Sequence, residues 1–220
     1  MDKNQIERLL PFWKDLTAQD RAYVLENCAS AFYPKGTLMR RCEQDCSGVM
    51  LILSGQLRTY IVSDEGREVT LFRVHRDEIC VLSATGLMDN ITFDVLIDAV
   101  EDTQAIMIPS RILSPLMERY PKIEAYIYGT ATERFSDVLW TMQQILFLSA
   151  DRRVALFLRD ECARTQQATL SMTHDEIARY IGSAREVVTK VLKYLAQEGV
   201  VALGRGKITV LDPALLNKHL

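Results

Sequence analysis

The chain has 220 residues, 48% of them hydrophobic and 25% charged, and a formal net charge of −3. That length holds one large domain or two ordinary ones with real cores, and no continuous apolar run is longer than Val49 to Leu53, which is far too short to span a bilayer. The net charge does not suggest a nucleic-acid binder, but it is unevenly spread: residues 1–150 carry 15 basic and 21 acidic side chains, residues 151–220 carry 11 and 8, so the positive excess is confined to the C-terminal part. The start, MDKNQIERLLPFWKDL, has no apolar core of signal-peptide length, and five cysteines without a paired pattern point to a reducing compartment. A cytoplasmic protein with no membrane partner is expected.

Residues 4–28 read as short helices, with Ile6, Leu9 and Leu10 as one apolar cluster and Thr17 to Asp20 starting a second helix that contains Tyr23, Val24 and Leu25. From about Ala31 the period changes to two. Ala31 to Met39 runs into a polar turn at Glu43 to Ser47, Val49 to Leu53 is a strand, and Ser54-Gly55 is a turn. Gln56 to Ile61 alternates, Ser63 to Gly66 is a hairpin turn, and Val69 to Phe72 returns. Ile79 to Leu82, Phe93 to Ile97 and Ala105 to Ile108 continue the series, as in an antiparallel roll or sandwich.

Pro109 to Leu148 is helical, and Pro121 starts the longest piece, about 121–148. Tyr128, Ala131, Phe135, Val138, Met142 and Ile145 recur at spacings of three and four, a heptad seam. The seam either packs on its own domain or pairs with a second copy; Leu139, Leu146 and Phe147 could face the roll. Ser149 or Asp151 caps the next helix, whose one side carries Val154, Phe157, Leu158 and Cys162, with a hinge near Leu148 to Asp151.

Thr173 to Leu195 contains two helix starts ten residues apart: a Thr173/Glu176 capping box and a Ser183/Glu186 box. Ile177, Ala178 and Ile181 line the first helix, and Val187, Val188, Val191, Leu192 and Leu195 the second. Gly182 stands between them, where a tight turn wants positive φ. The second helix keeps Arg185, Glu186, Thr189, Lys190 and Lys193 on its other face, residue types suited to base edges and phosphates. Periodicity alone also fits an ordinary antiparallel helix pair. Past the second helix the chain carries a strand at Gly199 to Leu203, a turn at Gly204 to Lys207 and a return strand at Ile208 to Leu211, with Arg205 and Lys207 at the tip. A hairpin directly after a helix-turn-helix makes a winged helix.

The run SAREVVTKVLKYLAQEGVV with its basic hairpin resembles the C-terminal domain of the Crp/Fnr family of bacterial transcription regulators. That family reads DNA with an Arg-Glu pair and a basic residue four positions after the Glu; Arg185, Glu186 and Lys190 match, although the cyclic-AMP-binding member has Arg at the third, and a lysine has no bidentate fork. The order short helices, roll, long helix, winged helix matches throughout, as do the Tyr33 to Leu38 segment (YPKGTL) and the Gly55 hairpin. The resemblance therefore implies an α+β chain: an N-terminal antiparallel β-roll, cupin-like and with flanking helices, a long dimerisation helix, and a C-terminal winged helix-turn-helix. It divides into a sensor at 1–148 and a reader at 149–220. It also implies a homodimer on double-stranded DNA that works with RNA polymerase.

The family's roll is a sensor, often for cyclic nucleotide, whose phosphate is held by a Gly-Glu pair and a later Arg followed by Ser or Thr. Here Cys80-Val81 and Phe93-Asp94 stand at those places, and an Asp opposes a phosphate. Haem-dependent members have Cys-x-His where this chain has Cys80-Val81-Leu82, and oxygen-sensing members have an N-terminal cysteine cluster where residues 1–27 have none. Cyclic nucleotide, haem, iron–sulfur cluster and zinc are accordingly not expected; an apolar effector pocket near Cys80, Leu82, Ser83 and Phe93 is one reading of the roll, and a ligand-free scaffold is the other. A redox role for Cys42 or Cys46 stays open.

The expected DNA-contacting set is Thr173, Ser183, Ala184, Arg185, Glu186, Thr189, Lys190 and Arg205, with Arg185 on a guanine. A signal-binding module acting through protein contacts is the rival. No catalytic arrangement is present around the three histidines, His75, His174 and His219, and His174 reads as surface filler of the reader's first helix.

Overall fold

The computed structural model describes residues 3–39, 48–81 and 95–220. Packing divides the chain into two compact units, Met1–Tyr60 with Leu71–Val138, and Ile61–Thr70 with Leu139–Leu220.

The first unit opens with α1 (Lys3–Leu9), a 3-10 turn (Pro11–Asp15) and α2 (Ala18–Asn27). Thr17 starts α2 as its spacing predicts: its hydroxyl accepts from the Asp20 amide at 3.1 Å. The strands are β1 (Ala29–Tyr33), β2 (Leu38–Met39), β3 (Gly48–Ser54), β4 (Gln56–Val62), β5 (Glu68–His75), β6 (Ile79–Cys80), β7 (Leu96–Ala99) and β8 (Thr103–Pro109). They form two four-stranded sheets, ordered β1-β8-β3-β6 and β2-β7-β4-β5. The described pairings are all antiparallel, including β3 with β8 and β4 with β7. This is the expected α+β roll.

The unbroken apolar run of β3 has a simple cause. Met50 and Ile52 join Leu57, Leu71, Ile97 and Ala99 in a core drawn from both sheets, while Val49 and Leu51 pack with Ile6, Trp13 and Leu113 from the helices. A strand covered on both faces needs no alternation. At the β3–β4 turn, Gly55 has φ +83° and its backbone lies against Asp102 and Thr103. The Gln56 amide donates to Thr103 Oγ1 at 3.1 Å. Arg58 and Asp98, register partners on β4 and β7, form a buried fork at 3.1 and 2.7 Å.

After β8 come α3 (Ser110–Arg119) and α4 (Pro121–Phe147). The 27 residues of α4 span about 40 Å. Its first part lies in unit one, where Ile123 and Ile127 are buried and Ala131 packs beside them. Val138 packs on the core between the sheets. The expected seam therefore splits. Ala131 and Val138 face the chain's own cores and Ile145 packs near Gly182, whereas Tyr128, Phe135 and Met142 are exposed. Leu139 and Leu146, expected to face the roll, are instead 48% and 65% exposed, beside Phe135 at 61% and Met142 at 50%. A 3.6-residue period drifts against a strict heptad, so positions one residue later complete the open stripe: Tyr128, Phe135, Leu139, Met142, Leu146.

The second unit contains α5 (Ala150–Thr165), β9 (Thr169–Leu170), α6 (His174–Ile181), α7 (Arg185–Gln197), β10 (Val201–Gly204), β11 (Lys207–Val210) and α8 (Pro213–Asn217). Ser149, not Asp151, caps α5. One apolar core joins Val154 and Leu158 of α5 to Ile177, Val188, Leu192, Leu195, Ile208 and Leu216. The expected hairpin forms, with a third strand that periodicity does not reveal: β9 pairs with β11, and Thr169 and Thr209 meet through their hydroxyls at 3.0 Å. A two-residue strand is too short to carry a period.

Packing also places the unit boundary elsewhere than the joint after residue 148. Residues 61–70, the far end of the β4–β5 hairpin, belong to this second unit. Thr70 Oγ1 donates to the Arg179 carbonyl at 3.1 Å, and Val69 lies against Gly182.

Candidate nucleic-acid interface

The interface is built by α6, the turn after it, and α7. The Thr173 box forms in full: the Glu176 amide donates to Thr173 Oγ1 at 3.1 Å, and the Thr173 amide donates to Glu176 Oε2 at 2.7 Å. Thr173→Ala is expected to cost about 1 kcal/mol, read as a lowered denaturation midpoint.

The turn is set by Gly182, at φ +61°. The amides of Gly182 and Ser183 both return to the Ala178 carbonyl, which closes α6. Arg153 of α5 reaches the same end and donates to the Ile181 carbonyl at 2.8 Å. Burial, and then the nearby Arg67 charge, lower the Arg153 pKa.

The expected Ser183/Glu186 box does not form. Ser183 is taken up in closing α6, so α7 begins two residues later at Arg185, with Ala184 as its N-cap and no side-chain oxygen there to accept. From that start, Val188, Val191, Leu192 and Leu195 turn inward, while Val187, expected on the apolar face, is exposed.

The outward face gathers Arg185, Glu186, Thr189, Lys190 and Lys193 around one open concavity. Three cations and one carboxylate on a single helix face make a surface that attracts phosphate yet can still accept from a base amino group. Arg205 is exposed in the two-residue turn between Gly204 and Lys207, where Gly206 has φ +66°.

One participant escapes the sequence pattern. His174, the first residue of α6, is more than surface filler: its Nδ1 lies 2.9 Å from Thr189 Oγ1 on α7. Its pKa is lowered, first by burial and then by the charges of Arg185 and Lys193. The contact joins residues 15 apart across the turn, so no local period signals it.

Of the expected effector residues, Cys80 is buried in the core between the sheets, and its neighbour Val81 is buried with the helices. Among the described residues, the cores that these two side chains join are apolar. Leu82, Ser83 and Phe93 lie outside the described residues, as do Asp94, Cys42 and Cys46. Among the described residues no group of three or more His, Cys, Asp or Glu is placed to hold a metal, and no helix is long and apolar enough to cross a membrane. Burial raises the Cys28 and Cys162 thiols, which keeps them protonated and poorly nucleophilic.

Residues 152–219 match the family model described as the Crp-like helix-turn-helix domain. The chain is 31% identical over 189 residues to the transcriptional activator protein Anr of Pseudomonas aeruginosa, covering 81% of this chain and 75% of that one. It is 26% identical to the cyclic AMP receptor protein of Thermus thermophilus, over 94% and 95% of the two chains. A crystal structure assigned to the Crp/Fnr family of transcriptional regulators, from Eubacterium rectale, superposes with a TM-score of 0.89 at 41% identity, covering 96% and 98%.

Proposed function

The chain belongs to the Crp/Fnr family of transcriptional regulators, and from that premise we propose that it acts as a cytoplasmic homodimer that binds a two-fold symmetric DNA site and answers a signal other than a cyclic nucleotide. It carries the family's helix-turn-helix domain, and its relatives are regulators, not enzymes. The observation that carries the reading is the face of α7, where Arg185, Glu186, Thr189, Lys190 and Lys193 converge while the opposite face is buried.

In this reading α7 enters the major groove and α6 crosses the backbone. Arg185 forks onto a guanine, Glu186 accepts from a cytosine amino group, and Lys190 holds a phosphate or a guanine. Thr173, Ser183, Ala184 and Arg205 flank them on the backbone. The open stripe of α4 pairs with its twin, and the two readers then fall about 34 Å apart on successive grooves. RNA polymerase is the further partner, and the joint between α4 and α5 near residues 148–151 relays the signal.

Cys80 and Val81 support the negative part of the proposal. A cyclic phosphate needs hydrogen-bond donors and a guanidinium, and the side chains at these two positions lie in apolar cores instead. In this reading the signal is a small apolar effector taken up by the roll near Cys80.

The test is selection of sites from a random duplex library with the full chain at two salt concentrations. A symmetric motif whose enrichment falls steeply with salt is expected. Enrichment of no sequence, with or without added metabolites, favours action through protein contacts. With the motif in hand, Arg185→Ala is expected to lose preference at one symmetric pair of positions, worth about 1–3 kcal/mol. An unchanged base preference removes that assignment.

A further inference from the structure

If the α7 face meets DNA, as proposed above, His174 acquires a role that rests on that reading. Thr189 Oγ1 has two neighbours: it donates to the Arg185 carbonyl at 2.9 Å, one turn back in α7, and it lies 2.9 Å from His174 Nδ1. A hydroxyl has a single proton. Once that proton is given to the carbonyl, the His174 contact closes only if Nδ1 carries a hydrogen and donates it to Oγ1. A neutral imidazole with hydrogen on Nδ1 has a bare lone pair on Nε2. Nε2 itself has no hydrogen-bond partner among the described residues, and it is not sealed from solvent.

A phosphate oxygen only accepts. Neutral His174, locked in this tautomer, therefore has nothing to offer the DNA backbone, whereas the protonated ring offers Nε2–H. We propose that His174 is a proton-gated phosphate ligand, contacting the DNA backbone through Nε2 only when protonated, so that each protomer takes up one proton as the duplex binds.

The surroundings set the sense of the gate. From α7, Arg185 and Lys193 act on the ring, and Lys190 with Glu186 as the one carboxylate lie on the same helix face. On α6 itself, Glu176 is held by Thr173, and Asp175 pairs with Arg179 at 3.1 Å. The free protein thus keeps the ring neutral near neutral pH. An arriving phosphate reverses the local field and favours the cation. The bound state then holds more protons than the free one, so affinity rises as pH falls. The slope runs from the raised pKa of the complex down to the lowered pKa of the free protein and vanishes below it.

The experiment titrates the full chain against its selected duplex from about pH 5.5 to about pH 8 at fixed salt, the range of imidazole titration. The wild type is expected to gain affinity toward acid by up to about tenfold per pH unit per protomer. His174→Gln is expected to bind with a flat profile. Thr189→Val releases Nδ1, lets the neutral ring carry its hydrogen on Nε2, and is expected to flatten the profile as well. A wild type that binds with no slope, or a His174→Gln protein that keeps the wild-type slope, overturns the proposal and leaves the DNA reading intact. Failure of the wild type to select any duplex, at any pH and with or without added metabolites, overturns both.

Discussion

Phe135→Glu combined with Met142→Glu is expected to yield a folded monomer. Both side chains are at least half exposed and lie on the open stripe of α4, so the single chain loses almost no packing of its own, and its denaturation should remain cooperative with a midpoint lowered only by the lost pairing. Two facing glutamates per protomer in a seam pair would instead set four like charges in an apolar contact, each costly to desolvate without a partner. Light scattering should report the monomer mass, and affinity for the symmetric site should fall by roughly 10²–10⁴, the advantage of linking two readers. Val138→Glu is the informative contrast. That residue packs on the core between the sheets, so its charge should lower stability before it alters assembly. A double variant that remains a dimer removes the stripe as the pairing surface.

The second large effect is Gly55→Ala, expected to cost about 2–5 kcal/mol. Positive φ at a non-glycine residue costs about 1–2 kcal/mol, and overpacking a tight site adds about 1–3 kcal/mol. At Gly55 both apply: φ is +83°, and an added Cβ would lie 2.4 Å from the Asp102 carbonyl oxygen, which is backbone and cannot swing away. Gly66→Ala separates the two effects. Its φ of +79° is nearly the same, but nothing stands within 4 Å of its Cβ position, so only the smaller backbone cost is expected. Chemical denaturation of the two variants beside wild type gives the comparison. Equal losses would mean that the close approach to Asp102 relaxes freely.

Much of this architecture could be read from residue patterns, and the misses have particular causes. The Thr173 box, the apolar positions of α6 and the inward side of α7 are set by local period and local hydrogen bonds, and they appear where the pattern puts them. Ser183 and Glu186 have the right spacing for a second box, but the demand of α6 for closure at Ala178 takes Ser183 first. The α4 seam misled by one residue because the apolar positions of that helix serve two surfaces. Val138 and Ile145 satisfy the heptad as well as Leu139 and Leu146 do, and only the packing of Val138 on the roll and of Ile145 beside Gly182 tells them apart. His174 and Thr189 could not be paired from sequence at all, since their contact depends on the angle between two helices. Of the residues expected to contact DNA, Arg185, Glu186, Thr189 and Lys190 do gather on one face.

The end of the β4–β5 hairpin bears on how such chains can be recombined. The boundaries of the two compact units fall at three points, after residues 60, 70 and 138, so the reader's module is discontinuous in sequence. A Cβ on Gly182 would meet Val69 Cγ2 at 3.2 Å and Ile145 Cδ1 at 3.3 Å, which makes the residue at position 69 part of the helix-turn-helix packing although the roll encodes it. A chimera that grafts residues 139–220 onto a foreign roll inherits that roll's hairpin tip. It should fold well when the incoming tip supplies a branched aliphatic at the place of Val69 and poorly when it supplies a charge. Exchange of the roll in this chain is therefore constrained by a ten-residue tip as well as by the joint between helices.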